Sequence, residues 1–526
     1  MSTKKVSSHI FKSSSGIFLS RIFGLLRDTM VTHFFKPSVQ DIFNAAFKVP
    51  NTFRSIFAEG AMANSYIPVL KGIKNEEDRQ QFQSEFFTIY LVILTITVVA
   101  LIFLVPYFMP FLVSGFEKFS EAKVTSTVYL TRFLFTYLFF ISLVSFFSAS
   151  MNAIFKFFIP SVSQAIFNIV FIIVLVIFVL LKKITLELFI YAVILGGFFQ
   201  LAFILFYSIK YGLRFTIRWP KNFKNIKEVF KLMGPSIITS GIYQINIFIS
   251  TYYLSMFDGG QTYHYVAQRL YQLPIGLFSV SMIQVFLPSF SEIVQSDDKN
   301  LIKSTFQKAF NLSLLITIPI SAYMITFSSQ ITSILFYHGQ FSYNSIMTTS
   351  TIFAIYMPGM IFITLTNMAS SLFYAHKIWK SQVMVSLASI VLFFLYINLL
   401  TPVYGLNGIA AANTLNTVTQ FILFYLLLVI FLKISIDKKT FVTAIKLLIS
   451  SFAISVPFYL FNKNVLKIVK TSFSANFLLF LIEVAGLSLL FFMTLLVFIR
   501  ILKVEELQEI ISTIKVRFKN KIKRKN

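Results

Sequence analysis

The sequence has no cysteine and comparatively few acidic residues. Without cysteine it can form neither a disulfide nor a thiolate metal site. Its 20 aspartates and glutamates stand against 46 lysines and arginines, and its five histidines are scattered without a metal-binding spacing such as HExxH. The P-loop pattern GxxxxGK followed by Ser or Thr is also absent. We therefore expect no metal, no cofactor, no direct use of ATP and no bond-making enzyme chemistry.

What the chain does contain is apolar. Hydrophobic residues make up 56% of its 526 positions, 66 of them phenylalanine, and 13% are charged. This composition is typical of a polytopic membrane protein. The net charge of +26 lies mainly in loops and tails, as in the cytoplasmic loops of membrane proteins, so it does not predict nucleic-acid binding. The first apolar segment carries Arg21, Arg27 and Asp28, which argues against a cleavable signal peptide.

Hydrophobic segments long enough to cross a bilayer predict an all-α fold with about fourteen transmembrane helices. The first, second and eighth are weak by hydropathy, but their apolar residues are confined to one face. The predicted segments are 9–35, 41–70, 82–113, 124–154, 157–181, 185–209, 228–256, 261–292, 304–327, 344–375, 378–400, 406–432, 440–461 and 476–502.

The distribution of lysine and arginine predicts the orientation and the lobes. Alternate loops are rich in these residues, which predicts that both termini are cytoplasmic. The longest interior hydrophilic stretch separates two sets of six spans, and proline pairs in spans two and eight suggest a parallel repeat. The predicted parts are an N-lobe (1–209), a basic cytoplasmic linker (210–227), a C-lobe (228–432), two further helices (433–502) and a basic tail (503–526) that contacts anionic lipid.

Polar residues cluster on one face of the second segment. If residues 41–59 form a helix, six of them share a sector of roughly 80°, with Arg54 beside it. Charges at the centre of a bilayer cost roughly 2.5–3.5 kcal/mol each and usually face a cavity. We therefore expect this face to line a polar cavity, although a soluble amphipathic hairpin is the alternative. The six residues are Asp41, Asn44, Lys48, Asn51, Ser55 and Glu59.

Arginines accompany this face. Arg21 and Arg27 lie on a polar stripe of the first segment, and Arg269 precedes Pro274 in the eighth. The planar guanidinium suits phosphate oxygens, so these arginines and Arg54 predict a phosphorylated anion as substrate. For Arg269 the alternative is a side chain that extends to the membrane interface.

The motif Ser20-Arg-Ile-Phe-Gly-Leu-Leu-Arg-Asp28, with Lys48-Val-Pro-Asn51, Arg54 and Ile-Phe-Ala-Glu-Gly60, resembles the MurJ (MviN) family. Met233-Gly-Pro235, Arg269-Leu270 and Phe336-Tyr-His-Gly-Gln-Phe341 also match this family of lipid II flippases within the multidrug/oligosaccharidyl-lipid/polysaccharide exporter superfamily. The resemblance implies two six-helix lobes in a V around a cationic cavity, and two C-terminal helices that form a groove for the lipid tail.

The resemblance also implies the function and the site. It implies alternating-access export of lipid II across the bacterial cytoplasmic membrane, with membrane lipids and possible cell-wall synthesis proteins as partners. Arg21, Arg27, Asp28, Arg54 and Arg269 would bind substrate, while Asp41, Lys48, Asn51 and Glu59 would line or gate the cavity. Gln268 and Ser55 stand where many members carry Asp and a second basic residue. A multidrug or polysaccharide-lipid exporter of the same superfamily and a membrane glycan transferase are the alternatives.

Overall fold

The computed structural model describes residues 3–57, 61–296, 298–376, 378, 380–475, 477–504 and 507–508. Within these residues the regular structure is entirely helical, which confirms the predicted fold class. The helices are α1 (Thr3–Phe34), α2 (Pro37–Phe57), α3 (Ala61–Gly72), α4 (Glu76–Leu112), α5 (Glu121–Ala153), α6 (Phe158–Leu180), α7 (Glu187–Lys210), α8 (Lys224–Ser255), α9 (Gly260–Pro274), α10 (Val280–Gln295), α11 (Lys299–Thr326), α12 (Ser328–Phe336), α13 (Tyr343–Ala375), α14 (Lys380–Leu427), α15 (Lys438–Ala475) and α16 (Phe477–Ile501).

The predicted spans map onto these helices with some differences. The second span corresponds to α2 and α3, which flank residues outside the described part of the chain, and the eighth is formed by α9 and α10 joined through a π-helical turn at Ile275–Ser279. In the described part of the chain, ten helices are long and apolar enough to cross a membrane, the weakly hydropathic eighth span among them. The chain is therefore a multi-pass membrane protein, while the number fourteen stays a prediction.

Local chemistry explains where several helices begin and bend. Asn75 caps α4 by accepting a hydrogen bond from the Glu77 amide at 3.0 Å, and three acidic residues in the first turn interact favourably with the helix dipole. Spans eleven and twelve are joined in α14, where Gly405 interrupts the helical backbone with φ 57° and ψ −132°. Glycine adopts this conformation at low cost because it has no Cβ.

One compact unit comprises residues 1–262 and 338–341. It contains α1 to α8, and its interior is rich in aromatic rings; Phe43, for example, stacks on Phe189 with centroids 4.1 Å apart. Because this unit is defined by contacts and includes α8, it does not coincide with the predicted N-lobe, and the lobe boundaries stay predictions. The second unit comprises residues 263–337 and 342–526. There α11 packs on α13 and α15 around buried Phe306 and Phe327.

Candidate functional site

Arg27 and Asp28 form a buried ion pair on α1. The Arg27 Nη2 and Nε atoms donate to Asp28 Oδ1 at 2.7 and 3.0 Å, and both residues are less than a tenth exposed. The guanidinium carbon lies 5.4 Å from the ring centre of Phe171 and 5.9 Å from that of Phe167, both on α6. A cation near two aromatic rings and beside a carboxylate is stabilised even when little water reaches it.

The contact between α1 and α6 holds this pair in place. A Cβ added to Gly16 would meet the Ser161 side chain at 2.8 Å, so glycine permits the close approach of the two helices. The side-chain Nδ2 of Asn168, on α6, donates to the Ser20 backbone carbonyl at 3.2 Å. Arg21, one residue later, is exposed, so it differs from Arg27 in its environment although both belong to the predicted stripe.

Asp41 is completely buried near the start of α2, and distant residues satisfy its carboxylate. Its Oδ1 accepts from the Thr262 amide and is 2.9 Å from the Thr262 hydroxyl. Its Oδ2 accepts from the Gly259 amide at 2.7 Å and from Lys123 Nζ at 3.0 Å. A buried carboxylate requires such donors because it has lost its hydration. The network joins α2 to the start of α5 and to the turn between α8 and α9.

Lys123 bridges two carboxylates. Its ammonium group lies 3.0 Å from Asp41 Oδ2 and 2.8 Å from Asp258 Oδ1. The Lys123 side chain is 7% exposed and Asp258 is 53% exposed, so the bridge runs from the interior to the surface of this unit. The ammonium also lies 4.5 Å from the ring centre of Phe116. Lys123 is the one donor to Asp41 described above that carries a full positive charge, so it offsets the charge of this buried carboxylate most directly.

The polar face of α2 continues with Asn44 and Lys48, which contact the same short segment. Asn44 donates to the Thr262 hydroxyl at 3.2 Å, and half-buried Lys48 donates to Gln261 Oε1 at 3.1 Å. The Gln261 amide in turn donates to the Thr251 carbonyl at 2.7 Å. The predicted helical face thus brings Asp41, Asn44 and Lys48 to one side of α2.

At the other end of α2, Arg54 Nε donates to Asn51 Oδ1 at 2.9 Å. Both side chains are half-buried. Glu59, predicted to share this face, lies outside the described residues.

Arg269 belongs to the second unit, unlike the other predicted arginines. Its Nε and Nη2 donate to the Tyr265 hydroxyl at 3.1 and 3.0 Å. The guanidinium carbon is 5.2 Å from the centre of the same ring. A tyrosine one helical turn earlier on α9 therefore orients this arginine.

Sequence reasoning missed several members of this site. The sequence predicts no role for Lys123 or Asp258, since nothing in it pairs either residue with Asp41. It also missed the contact of His338–Phe341 with the end of α1, where the Gln340 amide donates to the His33 carbonyl at 2.9 Å. The Nδ1 atoms of His33 and His338 lie 3.2 Å apart. The matching motif at 336–341 was the available signal, but it gave no partner.

Comparisons with known proteins agree over most of the chain. The family model described as "Lipid II flippase MurJ" matches residues 30–482. A probable lipid II flippase MurJ from Buchnera aphidicola subsp. Schizaphis graminum is 32% identical over 420 residues, covering 77% of this chain and 80% of the relative. The corresponding protein of Aquifex aeolicus is 32% identical over 374 residues, covering 69% of this chain and 71% of the relative.

Solved structures share the fold. A lipid II flippase MurJ in an inward closed conformation superposes with a TM-score of 0.75 at 24% identity, covering 93% of this chain and 98% of that one. An inward-facing multidrug resistance MATE transporter gives a TM-score of 0.64 at 13% identity, covering 79% and 96%. At such identities the likeness establishes the fold alone.

Proposed function

This chain belongs to the MurJ family of lipid II flippases, and from that premise we propose that arginines of α1, α2 and α9 bind the pyrophosphate of lipid II during its transfer. The family is one of transporters, not of catalytic enzymes, and its substrate is a membrane lipid. The family match favours this substrate over the drugs of the MATE exporters, with which the chain shares its fold. The proposed arginines are Arg21, Arg27, Arg54 and Arg269.

The ion pair of Arg27 and Asp28 is the observation that carries the proposal. Two guanidinium nitrogens donate to one carboxylate oxygen, and the plane lies near Phe171. In the absence of substrate Asp28 offsets the cost of a buried positive charge. A pyrophosphate presents several oxygens that match the guanidinium fork, so it can replace or supplement Asp28 with charge-assisted hydrogen bonds.

The remaining arginines fit the same role in different ways. Exposed Arg21 is accessible to an incoming anion. Arg54 donates to Asn51 and Arg269 donates to Tyr265, so a neighbouring polar side chain orients each guanidinium group. Positive charge held in position attracts a pyrophosphate more strongly than charge on freely rotating side chains, because less entropy is lost on binding.

The network around Asp41 supports a gate in an alternating-access cycle. Asp41, Lys48 and their partners connect α2 with the first turn of α9 and with Gly259 just before it. If that turn separates from α2, several buried hydrogen bonds are lost together, so the network favours a closed arrangement. We propose that it opens when the cavity faces the outside. Asn51 and Glu59 are proposed to line the cavity.

The basic loops supply the proposed orientation. Both termini are proposed to be cytoplasmic, so that transfer runs from the cytoplasmic to the outer leaflet of a bacterial inner membrane. We also propose contacts with cell-wall synthesis proteins, because these proteins use the lipid II that the chain would deliver to the outer leaflet.

Replacement of Arg27 tests the pyrophosphate site. We expect Arg27→Ala to lower lipid II transfer in reconstituted vesicles by about tenfold or more, because a charge-assisted hydrogen bond contributes about 1.5–3 kcal/mol. Arg27→Lys should recover part of the activity at most, since an ammonium cannot reproduce the planar fork. The readout is the initial rate with labelled lipid II, normalised to the amount of folded protein.

Arg214→Ala serves as the matched control, because Arg214 is an exposed arginine in the linker between α7 and α8, outside the predicted spans and the proposed site. It should retain the rate of the unchanged protein, and it should complement a strain depleted of its own flippase, whereas Arg27→Ala should not. Full transfer and full complementation by Arg27→Ala would remove Arg27 from the substrate site.

A further inference from the structure

Two histidines that are 305 residues apart in the sequence meet at the end of α1. His33 lies in the last turn of α1, and His338 lies in the segment 338–341 between α12 and α13. By its contacts this segment belongs to the same compact unit as α1. The two Nδ1 atoms are 3.2 Å apart, whereas the ring centres are 5.1 Å apart. The imidazoles therefore face each other through their Nδ1 atoms and not through their ring faces.

Three features fix the segment 338–341 against α1. The Gln340 amide donates to the His33 carbonyl at 2.9 Å, and the Phe341 amide donates to the His338 carbonyl at 3.3 Å, which closes the segment into a turn. The Phe341 side chain is buried, with 1% of its surface exposed. Because the backbone already holds both histidines in place, little conformational entropy is lost when a ligand binds between them.

The residue after His338 leaves room beside the His33 ring. Gly339 has φ 62°, and a Cβ atom built on it would lie 2.7 Å from His33 Nδ1. A side chain at this position would crowd that nitrogen, whereas glycine leaves it accessible. His33 is exposed and His338 is half-buried, so ions and water can reach the pair.

The separation of the two nitrogens is that of two ligands of one metal ion. Zinc–nitrogen bonds are about 2.0–2.1 Å long, so two imidazole nitrogens of a tetrahedral site lie about 3.3 Å apart. A neutral imidazole binds a metal through one ring nitrogen and carries its proton on the other. The observed 3.2 Å also suits a hydrogen bond from one Nδ1 to the other. A metal ion therefore requires a change of tautomer in one ring and no movement of the backbone.

We propose that His33 and His338 form a binding site for a divalent transition metal ion, with Zn²⁺ as its occupant. Imidazole suits Zn²⁺, whereas Mg²⁺ and Ca²⁺ prefer oxygen ligands. The residues that the structure describes include no group of three or more His, Asp or Glu suited to a metal. Water therefore completes the coordination of the ion, which makes it exchangeable. No sequence spacing indicates this site, because its two ligands are so far apart in the chain.

The bound ion adds a second connection between α1 and the segment 338–341. The hydrogen bond from Gln340 to His33 joins their backbones, and the ion joins their side chains. An ion that binds this arrangement and not the unfolded chain stabilises the folded protein. The site is separate from the arginines of the proposed substrate site and does not depend on their role.

Titration of the purified full-length chain, produced without a histidine tag, with ZnCl₂ tests this site. Calorimetry measures the affinity, and thermal unfolding at increasing Zn²⁺ concentration measures the stabilisation. The test variants are His33→Ala, His338→Ala and the double replacement. The control is His376→Ala, which removes a half-buried histidine at the end of α13 whose Nδ1 lies 2.9 Å from the Leu372 carbonyl.

We expect each single test variant to lower the affinity for Zn²⁺ by about tenfold or more, because two ligands held on one scaffold bind far more tightly than one. The double replacement should add little to that loss, since one imidazole alone binds weakly. His376→Ala should stay within about twofold of the unchanged chain. The melting temperature should rise with Zn²⁺ in the unchanged chain and in His376→Ala, but not in the test variants.

Electron paramagnetic resonance of added Cu²⁺ supplies a second readout that does not depend on the variants. Its nitrogen couplings should report two imidazole ligands in the unchanged chain, and a single imidazole would contradict the proposal. Equal losses of Zn²⁺ affinity in His33→Ala and His376→Ala would show that the ion binds surface histidines without a built site. Full affinity in His33→Ala or in His338→Ala, or displacement of Zn²⁺ by millimolar Mg²⁺, would also overturn it.

Discussion

Asp41 illustrates at the residue scale how a buried charge depends on distant parts of the chain. It has no exposed surface, and its oxygens accept hydrogen bonds from Lys123, Gly259 and Thr262. Backbone amides and a hydroxyl satisfy the geometry of a carboxylate but supply no full positive charge. Lys123 supplies it, which makes this lysine the main electrostatic partner of the network.

We predict that Lys123→Met lowers the free energy of unfolding by about 3 kcal/mol, because removal of one partner leaves a buried charge uncompensated. Thermal or denaturant unfolding of the purified protein measures the loss. Lys118→Met is the control, since Lys118 is an exposed lysine at the end of a short 3-10 helix (Ser114–Lys118) before α5 and should change stability by less than about 0.5 kcal/mol.

A double-mutant cycle with Asp41→Asn separates the ion pair from packing. The double variant should be more stable than the sum of the two single losses predicts, by about 1–3 kcal/mol, since the residues are in direct contact. Strictly additive losses would mean that Lys123 contributes through its hydrocarbon chain and not through its charge.

The same residues mark how far the sequence alone could reach. Helical spacing correctly grouped Asp41, Asn44 and Lys48 on one face, because that arrangement depends only on local geometry. The partners of that face are at least 82 residues away from Asp41 and carry no local signal. Sequence patterning therefore predicted a polar face, and tertiary packing determined which residues satisfy it.

At the element scale, the end of α1 depends on a loop that is distant in sequence. The last carbonyl groups of a helix lack partners within the helix. The Gln340 amide satisfies the His33 carbonyl at 2.9 Å, and Gly339 next to it has φ 62°. A side chain on Gly339 would collide with the His33 carbonyl and approach its imidazole. Glycine is thus required here for its conformation and for its size.

We predict that Gly339→Ala destabilises the protein more than Gly212→Ala does. Gly212 also has a left-handed backbone, φ 83°, but nothing lies within 4 Å of the position of an added Cβ. Both variants incur the left-handed strain of roughly 1–2 kcal/mol, and Gly339→Ala also displaces the cap of α1. Comparison of the two melting temperatures isolates the second effect, and equal shifts would show that the contact with His33 adds nothing.

Other elements show why hydropathy locates helices better than their boundaries. The predicted spans 378–400 and 406–432 both lie mostly within α14, because Gly405 bends the chain without a polar loop between the spans. Apolar length predicts that a segment is helical, whereas single residues determine where the helix bends or stops.

At the scale of the whole molecule, the basic loops lead to a test of orientation. In this cysteine-free chain, a single cysteine at Lys221 should be protected from a membrane-impermeant thiol reagent in intact cells, and one at Gln340 should react. Both positions are exposed, so accessibility depends on the side of the membrane. Labelling of both after membrane disruption is the control, and the opposite pattern would reverse the proposed direction of transfer.

The positive charge of the proposed substrate site leads to a prediction about which energy source drives transfer. Its proposed substrate site is built from arginines, and acidic residues are scarce in the second half of the sequence. A positively charged cavity responds to the membrane potential, since one charge moved fully across is worth roughly 2.3 kcal/mol per 100 mV. We predict that lipid II transfer in vesicles follows the potential at a fixed Na⁺ gradient and is insensitive to Na⁺ at a fixed potential.

A sodium site is the main alternative to coupling with the membrane potential, because Na⁺ can bind the oxygen atoms of amide and carbonyl groups without a carboxylate. In the described part of the chain, the Asn416 Oδ1 atom on α14 is buried and accepts no hydrogen bond, so it is a candidate ligand. Asn398, by contrast, donates to the Phe394 carbonyl of its own helix at 2.8 Å and is exposed. Asn416→Ala and Asn398→Ala are thus a matched pair. A transfer rate that rises with Na⁺ at fixed potential, and loses that dependence in Asn416→Ala but not in Asn398→Ala, would replace coupling to the potential with a sodium site on α14.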